Sequence, residues 1–183
     1  MGDAFARPLV DELRRRPRDL GALRFLLTGG AILSASTKAE ILDLLPQLTI
    51  VDILGSSESG RQGVTSTSAT SDEGTTTGRF APTATAAIVS ADLTRVLDVD
   101  DHDEGWLAQR GRVPLGYLGD PAKSAATFPT IDGERFAVPG DRARYGEDGL
   151  IELHGRESVT INSGGEKIFA EEVEHALKSH PEV

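Results

Sequence analysis

The fold is decided by residues 23–54, which read LRFLLTGGAILSASTKAEILDLLPQLTIVDIL. An apolar run at 23–27 predicts a short buried strand. A helix is predicted at 37–45, because a threonine and a glutamate three positions apart have the spacing of a capping box and apolar residues follow at helical intervals. A second apolar strand is predicted at 48–54, after a proline that ends the helix. Strand, helix and strand in so short a stretch indicate a βαβ unit with two parallel strands.

The segments on either side of this unit have different patterns. Residues 8–16 have the spacing of a helix that Pro17 ends. From Gly55 to Gly78 the chain is rich in Ser, Thr and Gly, which is typical of a linker or of an active-site loop. Short apolar runs then alternate with turns, so we predict a small antiparallel sheet or barrel up to residue 153. The predicted strands are 86–89, 94–97, 105–108 and 150–153, the Asp-Gly turns are 132–133 and 148–149, and a last helix is predicted at 170–179.

The composition excludes several classes of function. The chain has 183 residues and a formal net charge of −10, and so acidic a protein is a poor general binder of nucleic acid, because phosphate contacts need Lys and Arg. It contains no cysteine, which excludes disulfides, thiolate metal sites and a cysteine nucleophile. The sequence has no apolar stretch near the roughly 20 residues of a membrane span and no apolar signal-peptide core. We therefore expect a soluble protein of the cytoplasm.

The tetrapeptide Gly55-Ser56-Ser57-Glu58 directly follows the second predicted strand. Glycine lets a ligand approach the backbone, the two hydroxyls can donate to phosphate oxygens, and the carboxylate can hold Mg²⁺ through oxygen. On the residues alone, a polar turn is favoured over a phosphate site.

Three other short motifs allow a binding or a purely structural interpretation. Gly29-Gly30 after the first strand is more typical of a tight turn than of a site. Gly140-Asp141 is usually a turn, although a carboxylate there can accept hydrogen bonds from both hydroxyls of a ribose. Arg156, which follows a glycine, suits a ribose oxygen or a phosphate, and it could equally pair with Glu157 at the surface.

Taken in order, these motifs resemble those of the adenylate-forming enzymes. That superfamily includes the acyl-CoA synthetases, the adenylation domains of nonribosomal peptide synthesis and beetle luciferase. A further segment, 116–128, matches the family pattern and is expected to have a structural role. Residues 138–141 and 161–167 are most similar to actinobacterial fatty-acyl or steroid-side-chain acyl-CoA synthetases. The matching residues within 116–128 are Asp120, Pro121, Lys123, Ser124 and Phe128.

The resemblance implies roles for individual residues. Ser57 and Glu58 take the positions of the catalytic residues that contact the AMP phosphate and help to hold Mg²⁺, so that Glu58 is the implied metal ligand. Ser158 takes the position of the hinge about which the small domain swings. Gly164 and Gly165 lie where the pantetheine arm of CoA would pass. The residues implied at the nucleotide are Gly29, Gly30, Ala31, Leu54, Gly55, Ser56, Ser57, Asp141 and Arg156.

The implied fold is α/β, with three parts. Residues 1–62 would end the α/β sheet of an AMP-binding domain, 63–156 would form its β-rich, barrel-like subdomain, and 157–183 would form the hinge and the start of a small C-terminal domain. The family's triphosphate loop and its catalytic lysine match nothing in this sequence. We therefore expect the chain to correspond to part of such an enzyme and not to adenylate acids by itself.

The implied parent activity is ATP-dependent ligation of a carboxylic acid to CoA, with Mg²⁺ as the metal. We expect small-molecule substrates, no nucleic-acid partner and no transmembrane segment, and a homodimer is left open. Three positions depart from the family pattern: Leu54 replaces an aromatic residue, Ile32 replaces a proline, and Ser158 replaces an Asp or Lys. A non-catalytic nucleotide- or acyl-binding homologue is therefore one alternative, and an adenylation domain that loads a carrier protein is another. The residues leave the identity of the acid open.

Overall fold

The computed structural model describes residues 2–71, 77–156, 160–163 and 166–169, together with the single residues Val173, Ala176 and Leu177. A 3₁₀ turn at Val99–Asp101 lies between the strands Val96–Leu97 and Gly105–Arg110. Among the described residues, no helix is both long and apolar enough to cross a bilayer. The helices are α1 (Asp3–Arg15), α2 (Ala35–Leu44) and α3 (Pro121–Thr127). The strands are β1 (Phe25–Gly29), β2 (Thr49–Ser56), β3 (Gly60–Ser68), β4 (Arg79–Pro82), β5 (Ala86–Ser90), β6 (Val96–Leu97), β7 (Gly105–Arg110), β8 (Thr130–Ile131), β9 (Glu134–Ala137), β10 (Asp141–Tyr145), β11 (Ile151–Arg156), β12 (Thr160–Ser163) and β13 (Glu166–Phe169).

The predicted βαβ unit is confirmed, since β1 and β2 are parallel and connected through α2. The predicted capping box at Thr37 and Glu40 is wrong. The N-cap of α2 is Ser34, whose hydroxyl accepts a hydrogen bond from the Thr37 amide at 3.3 Å. Ser34 satisfies a backbone donor that would otherwise lack a partner, so the helix starts before the predicted residue.

Helix α1 also begins earlier than predicted and contains Pro8 within it. Its first residue is tied to the loop after β1, because Asp3 donates its amide to the Ile32 carbonyl and accepts from the Ser34 amide through Oδ1 at 2.8 Å. Ala6 and Val10 face inward and pack in one core with residues of α2. These contacts stabilise the helix around a proline that would end an isolated one.

Where the structure describes it, the Ser/Thr/Gly-rich segment after Gly55 is largely a strand and not a linker. It forms β3, which pairs antiparallel with β2 from Thr49↔Ser68 to Ser56↔Gly60. The sequence did not predict this strand because its apolar content is low. The strand forms because β2 supplies the hydrogen-bonding partner and threonine suits the pleated backbone. Gln62 and Thr67 are buried in this hairpin.

Strand β4 joins the two halves of the fold by pairing with β3 on one side and β11 on the other. The order is β1-β2-β3-β4-β11-β10-β7-β5-β6, with β9 carrying β8 beside β7. Over the described residues this order ends at β1 and β6 without closing, so the sheet is open. The predicted α/β class is confirmed.

The hairpin turn at Asp132-Gly133 is confirmed between β8 and β9. Both residues have positive φ, +51° and +80°, as a two-residue turn between twisted antiparallel strands requires. The predicted strand at 94–97 is shorter than expected and covers only Val96–Leu97.

Strand β2 connects two hydrophobic cores. Ile50 packs with α1 and α2, whereas Leu54 packs with strands of the antiparallel half around Ile88 and Ile151. Ile50 and Leu54 are four residues apart and lie on the same buried face of β2, so this face contacts the helical core at one end and the antiparallel core at the other.

Near the end of the chain, β12 and β13 form an antiparallel pair from Thr160↔Phe169 to Ser163↔Glu166. Val173, Ala176 and Leu177 are helical, in agreement with the predicted last helix. The rest of that helix lies outside the described residues, and the domain boundaries stay a prediction.

Candidate functional site

A cleft of about 590 Å³ lies where the parallel part of the sheet meets the antiparallel part. The first part contributes the loop after β1 and the end of β2. The second contributes β4 and the adjacent ends of β10 and β11. Among the predicted nucleotide-binding residues, those that line this cleft are Gly29, Gly30, Ala31, Leu54, Gly55, Asp141 and Arg156. A shallower depression shares Gly29, Gly30 and Gly55 with it and adds Ser56 and Ser57.

The wall on the β1 side is bare backbone. A Cβ atom on Gly29 would lie 2.9 Å from the Ile53 carbonyl oxygen, closer than such atoms normally approach. Gly30 has φ of +75°, in the left-handed region that glycine favours. Gly29 thus ends β1, Gly30 begins the bend after it, and both line the cleft.

Residues 56–60 form the turn that connects β2 to β3, so the predicted polar turn is present. The Ser56 hydroxyl accepts hydrogen bonds from the amides of Glu58 and Ser59, both at 3.2 Å. The Ser56 amide donates to the Ser59 hydroxyl at 3.2 Å. Ser56 is thus occupied in holding the turn, whereas Ser57 is exposed beside the cleft.

The carboxylate of Glu58 accepts a hydrogen bond from the Tyr117 hydroxyl, with 2.7 Å between Oη and Oε1. This hydrogen bond is the largest cause that lowers the pKa of Glu58, and the nearby charge of Arg156 acts in the same direction. Both effects favour the ionised carboxylate.

Asp141 begins β10 and Arg156 ends β11, directly opposite each other in the ladder. Arg156 donates from Nε to Asp141 Oδ1 at 2.9 Å and from Nη2 to Oδ2 at 3.3 Å. Asp141 is therefore a partner of Arg156, and Glu157, the partner considered from the sequence, lies outside the described residues. A forked pair of this kind fixes the planes of both groups at the mouth of the cleft.

A buried ion pair that the sequence analysis missed lies deeper in the cleft. Lys38 on α2 places Nζ 2.5 Å from Oδ2 of Asp52 on β2, and the side chains are 2% and 13% exposed. The sequence pattern did contain an indication of this pair. Lys38 occupies the buried stripe that continues through Ile41 and Leu42, and Asp52 occupies an inward-facing position between two buried apolar residues of β2.

His154 was also missed and lines the cleft through an irregularity in β11. Arg142 pairs with Gly155 and the next residue of β10 pairs with Leu153, which leaves His154 as the extra residue of a bulge. Such bulges redirect a side chain. Its Nδ1 lies 2.9 Å from Oε2 of Glu104, and since a carboxylate only accepts, Nδ1 carries the hydrogen.

Several predicted site residues are not part of this description. Ser158, Gly164 and Gly165 lie outside the described residues. Leu54 does lie at the cleft and is 8% exposed, so an apolar side chain stands where an aromatic one was expected from the family pattern. Within the described ranges, no group of three or more His, Asp or Glu side chains is arranged to hold a metal ion.

The fold defines a class of protein. The chain superposes on the nonribosomal peptide synthetase FmoA3, in a variant with bound AMPPNP, with a TM-score of 0.71 and 28% identity over 86% of this chain and 18% of that one. The sheet has the fold of part of an adenylation domain, as the motifs predicted. No family model matches the sequence.

The curated relatives are more specific. The chain is 49% identical over its whole length to the medium-chain acyl-CoA ligase Mig of Mycobacterium avium, and covers 33% of it. It is 43% identical to a medium/long-chain-fatty-acid and 3-oxocholest-4-en-26-oate CoA ligase of Mycobacterium tuberculosis, again across the whole chain and 33% of the relative. The chain is a homologue of acyl-CoA ligases and spans about a third of their length.

Proposed function

We propose that the chain forms the adenylate-binding part of an ATP-dependent acyl-CoA ligase. In this reaction the carboxylate of an acid attacks the α-phosphate of ATP, giving acyl-AMP and pyrophosphate, and the thiolate of CoA then displaces AMP. One observation carries the proposal: the glycines after β1, Gly55 at the end of β2 and the Asp141–Arg156 pair come from distant parts of the sequence and line one cleft, and the serines after Gly55 line the depression next to it.

The Asp141–Arg156 pair suits the ribose and phosphate of a nucleotide. The carboxylate has two acceptor oxygens for the two ribose hydroxyls. A guanidinium has five N–H donors, so Arg156 can hold Asp141 and still donate to a ribose or phosphate oxygen.

The turn after β2 suits the phosphate of AMP. Ser56 stabilises the turn from within, and Ser57 presents an exposed hydroxyl that can donate to a phosphate oxygen. Gly55 keeps the approach to this turn open, since it lines both depressions without a side chain.

Glu58 is the residue that would hold Mg²⁺. The described residues offer no cage of three carboxylate or imidazole ligands. A single carboxylate nevertheless fits Mg²⁺, which commonly takes one or two carboxylates and completes its shell with phosphate oxygens and water. When bound, the ion would neutralise charge on the phosphates.

The relatives suggest the acid. The two relatives described above are named for medium-chain, long-chain and steroid-derived acids. We propose acids of this kind as substrates, with Ser158 as the hinge and Gly164 and Gly165 along the path of CoA. A cytoplasmic location, where ATP and CoA are available, and a homodimer are part of the same proposal.

The test is acid-dependent exchange of labelled pyrophosphate into ATP, measured with the protein from the complete reading frame that contains this chain. The acids are medium-chain, long-chain and steroid-derived, and the variants are Asp141→Asn, Glu58→Gln and the matched control Asp132→Asn on an exposed turn. Exchange that is lost in the first two variants and kept in the third supports the proposal.

The same assay separates the alternatives. ATP binding without exchange for any acid would favour a non-catalytic nucleotide-binding homologue. Exchange without release of acyl-CoA, when CoA is added, would favour an adenylation domain that loads a carrier protein.

A further inference from the structure

Tyr117 connects a second, distant loop to the turn that carries Glu58. The two residues are 59 positions apart, and the Tyr117 hydroxyl donates to Glu58 Oε1 at 2.7 Å. The segment before α3, which the sequence analysis treated as structural, thus touches the residue proposed to hold the metal.

The backbone of Tyr117 is held firmly. Its amide donates to the Ser124 hydroxyl at 2.7 Å, and that hydroxyl donates to the Asp120 carbonyl at 2.6 Å. Asp120 in turn caps α3 by accepting from the Lys123 amide at 2.9 Å. A side chain on Gly116 would collide with Ser124, since a Cβ would lie 2.6 Å from its Oγ.

The ring of Tyr117 is held as well. The Lys123 ammonium lies 4.2 Å from the ring centroid, within the range of a cation–π contact. The Phe128 ring lies 5.7 Å away at a tilt of 49°. These contacts hold the Tyr117 ring in place independently of its hydrogen bond to Glu58.

The orientation of the Glu58 side chain, in contrast, is not fixed by packing against a ring. It lies in a tight turn, and its own amide is the group that the Ser56 hydroxyl holds. A glutamate side chain has three rotatable bonds, so the orientation of its carboxylate depends on its hydrogen-bond partners, of which the Tyr117 hydroxyl is the strongest and Ser56 and the Glu58 amide are the others.

We propose that Tyr117 is a positioning residue that fixes the Glu58 carboxylate for the cation of a bound nucleotide. One hydrogen bond to Oε1 occupies one acceptor site of the carboxylate and sets its plane, while the other acceptor sites can serve a cation. The inference rests on the proposed function, since it assumes that Glu58 meets a nucleotide-bound Mg²⁺.

Tyr117 has only a small role to play in stability. The hydrogen bond is partly exposed, and exposed bonds of this kind contribute little to folding because water competes for both groups. Positioning groups behind metal ligands, in contrast, typically change metal affinity about 10- to 100-fold when removed.

The experiment uses the protein from the complete reading frame and the variant Tyr117→Phe, which keeps the ring beside Lys123 and Phe128. Tyr145→Phe is the matched control, because Tyr145 lies on β10 and makes no contact with Glu58 among the described hydrogen bonds. Binding of ATP is titrated at a series of Mg²⁺ concentrations by calorimetry, and pyrophosphate exchange is measured over the same series. Binding of Mn²⁺ to the ATP complex is followed by water proton relaxation.

We expect Tyr117→Phe to need about tenfold more Mg²⁺ or Mn²⁺ for half-maximal ATP binding, with an unchanged melting temperature and unchanged ATP affinity at saturating metal. Tyr145→Phe should leave the metal dependence unchanged. In a Glu58→Gln background the further effect of Tyr117→Phe should disappear, because the partner of the phenol has lost its charge.

Two outcomes overturn the inference alone: an unchanged metal dependence in Tyr117→Phe, or an effect of the same size in the Glu58→Gln background. An unmodified protein that binds no ATP with either metal overturns the inference together with the proposed function. An unmodified protein that binds ATP without exchange contradicts only the catalytic proposal, and the binding series still tests Tyr117.

Discussion

Arg156 donates to both carboxylate oxygens of Asp141, at 2.9 and 3.3 Å, across the open end of the β10–β11 ladder. The guanidinium is 48% exposed, so solvent screens the pair and its contribution to stability is small. A forked pair that stabilises little and borders a cleft fits the ligand-binding role proposed above.

The substitution Arg156→Lys keeps the charge but removes the fork. We expect ATP affinity to fall about 10- to 100-fold, the range set by losing a hydrogen bond to a charged group, and the free energy of unfolding to change by less than about 1 kcal/mol. Calorimetric titration and urea unfolding measure the two quantities. The control is Arg144→Lys, which weakens the exposed pair with Glu152 outside the cleft. Equal loss of ATP affinity in both variants would contradict a binding role for Arg156.

The pair Lys38–Asp52 should behave differently, because it is buried. Lys38→Met leaves the Asp52 carboxylate without its cation, and we expect a loss of about 2–4 kcal/mol in the free energy of unfolding, somewhat below a fully buried pair because Asp52 keeps some exposure. The double substitution Lys38→Met with Asp52→Leu should recover most of that loss, since neither charge is then left unpaired. Urea unfolding of the single and double variants decides this, and a double variant as unstable as Lys38→Met would refute it.

Gly55 should tolerate no side chain. A Cβ there would lie 2.1 Å from the Gly60 carbonyl oxygen, across the hairpin whose turn carries Ser57 and Glu58. We expect Gly55→Ala to cost about 1–3 kcal/mol through overpacking and to weaken ATP binding by displacing the turn. Gly133→Ala is the comparison, because Gly133 has φ of +80° but no neighbour that a Cβ would meet.

In Gly133→Ala the backbone strain should cost about 1 kcal/mol and leave ATP binding unchanged. Thermal unfolding and ATP titration of both variants test the contrast. Unimpaired ATP binding in Gly55→Ala would show that the turn adjusts without consequence for the site.

Ionisation of Tyr145 should lower the stability of the folded protein at alkaline pH. Burial raises the pKa of Tyr145, because the phenolate would lose its hydration. A group whose folded pKa is raised contributes stability that is complete below its unfolded pKa of about 10 and is lost as the pH rises through the folded value. Unfolding midpoints measured from about pH 8 to pH 11 should therefore fall less steeply for Tyr145→Phe than for the unmodified protein. Parallel curves would contradict the effect of burial.

The local pattern of the sequence predicted the βαβ unit, the Asp-Gly hairpin and most strands of the antiparallel half. Each of these depends on residues close together in the chain, where apolar spacing and turn chemistry act directly. Strand β3 escaped the prediction because its residues are polar, and its conformation depends on pairing with β2. The start of α1 escaped it because Asp3 is held by Ile32 and Ser34, residues beyond its own helix.

The sequence by itself determined the α/β class, the order of the site motifs and the glycine positions that keep the cleft open, because these follow from local spacing and from residue chemistry. Only the tertiary structure decided that Asp141 faces Arg156, that Lys38 meets Asp52 and that Tyr117 reaches Glu58. Such pairs form between segments that the sheet order brings together, and a hydrogen bond acts over about 3 Å, a distance that spacing along the chain does not specify.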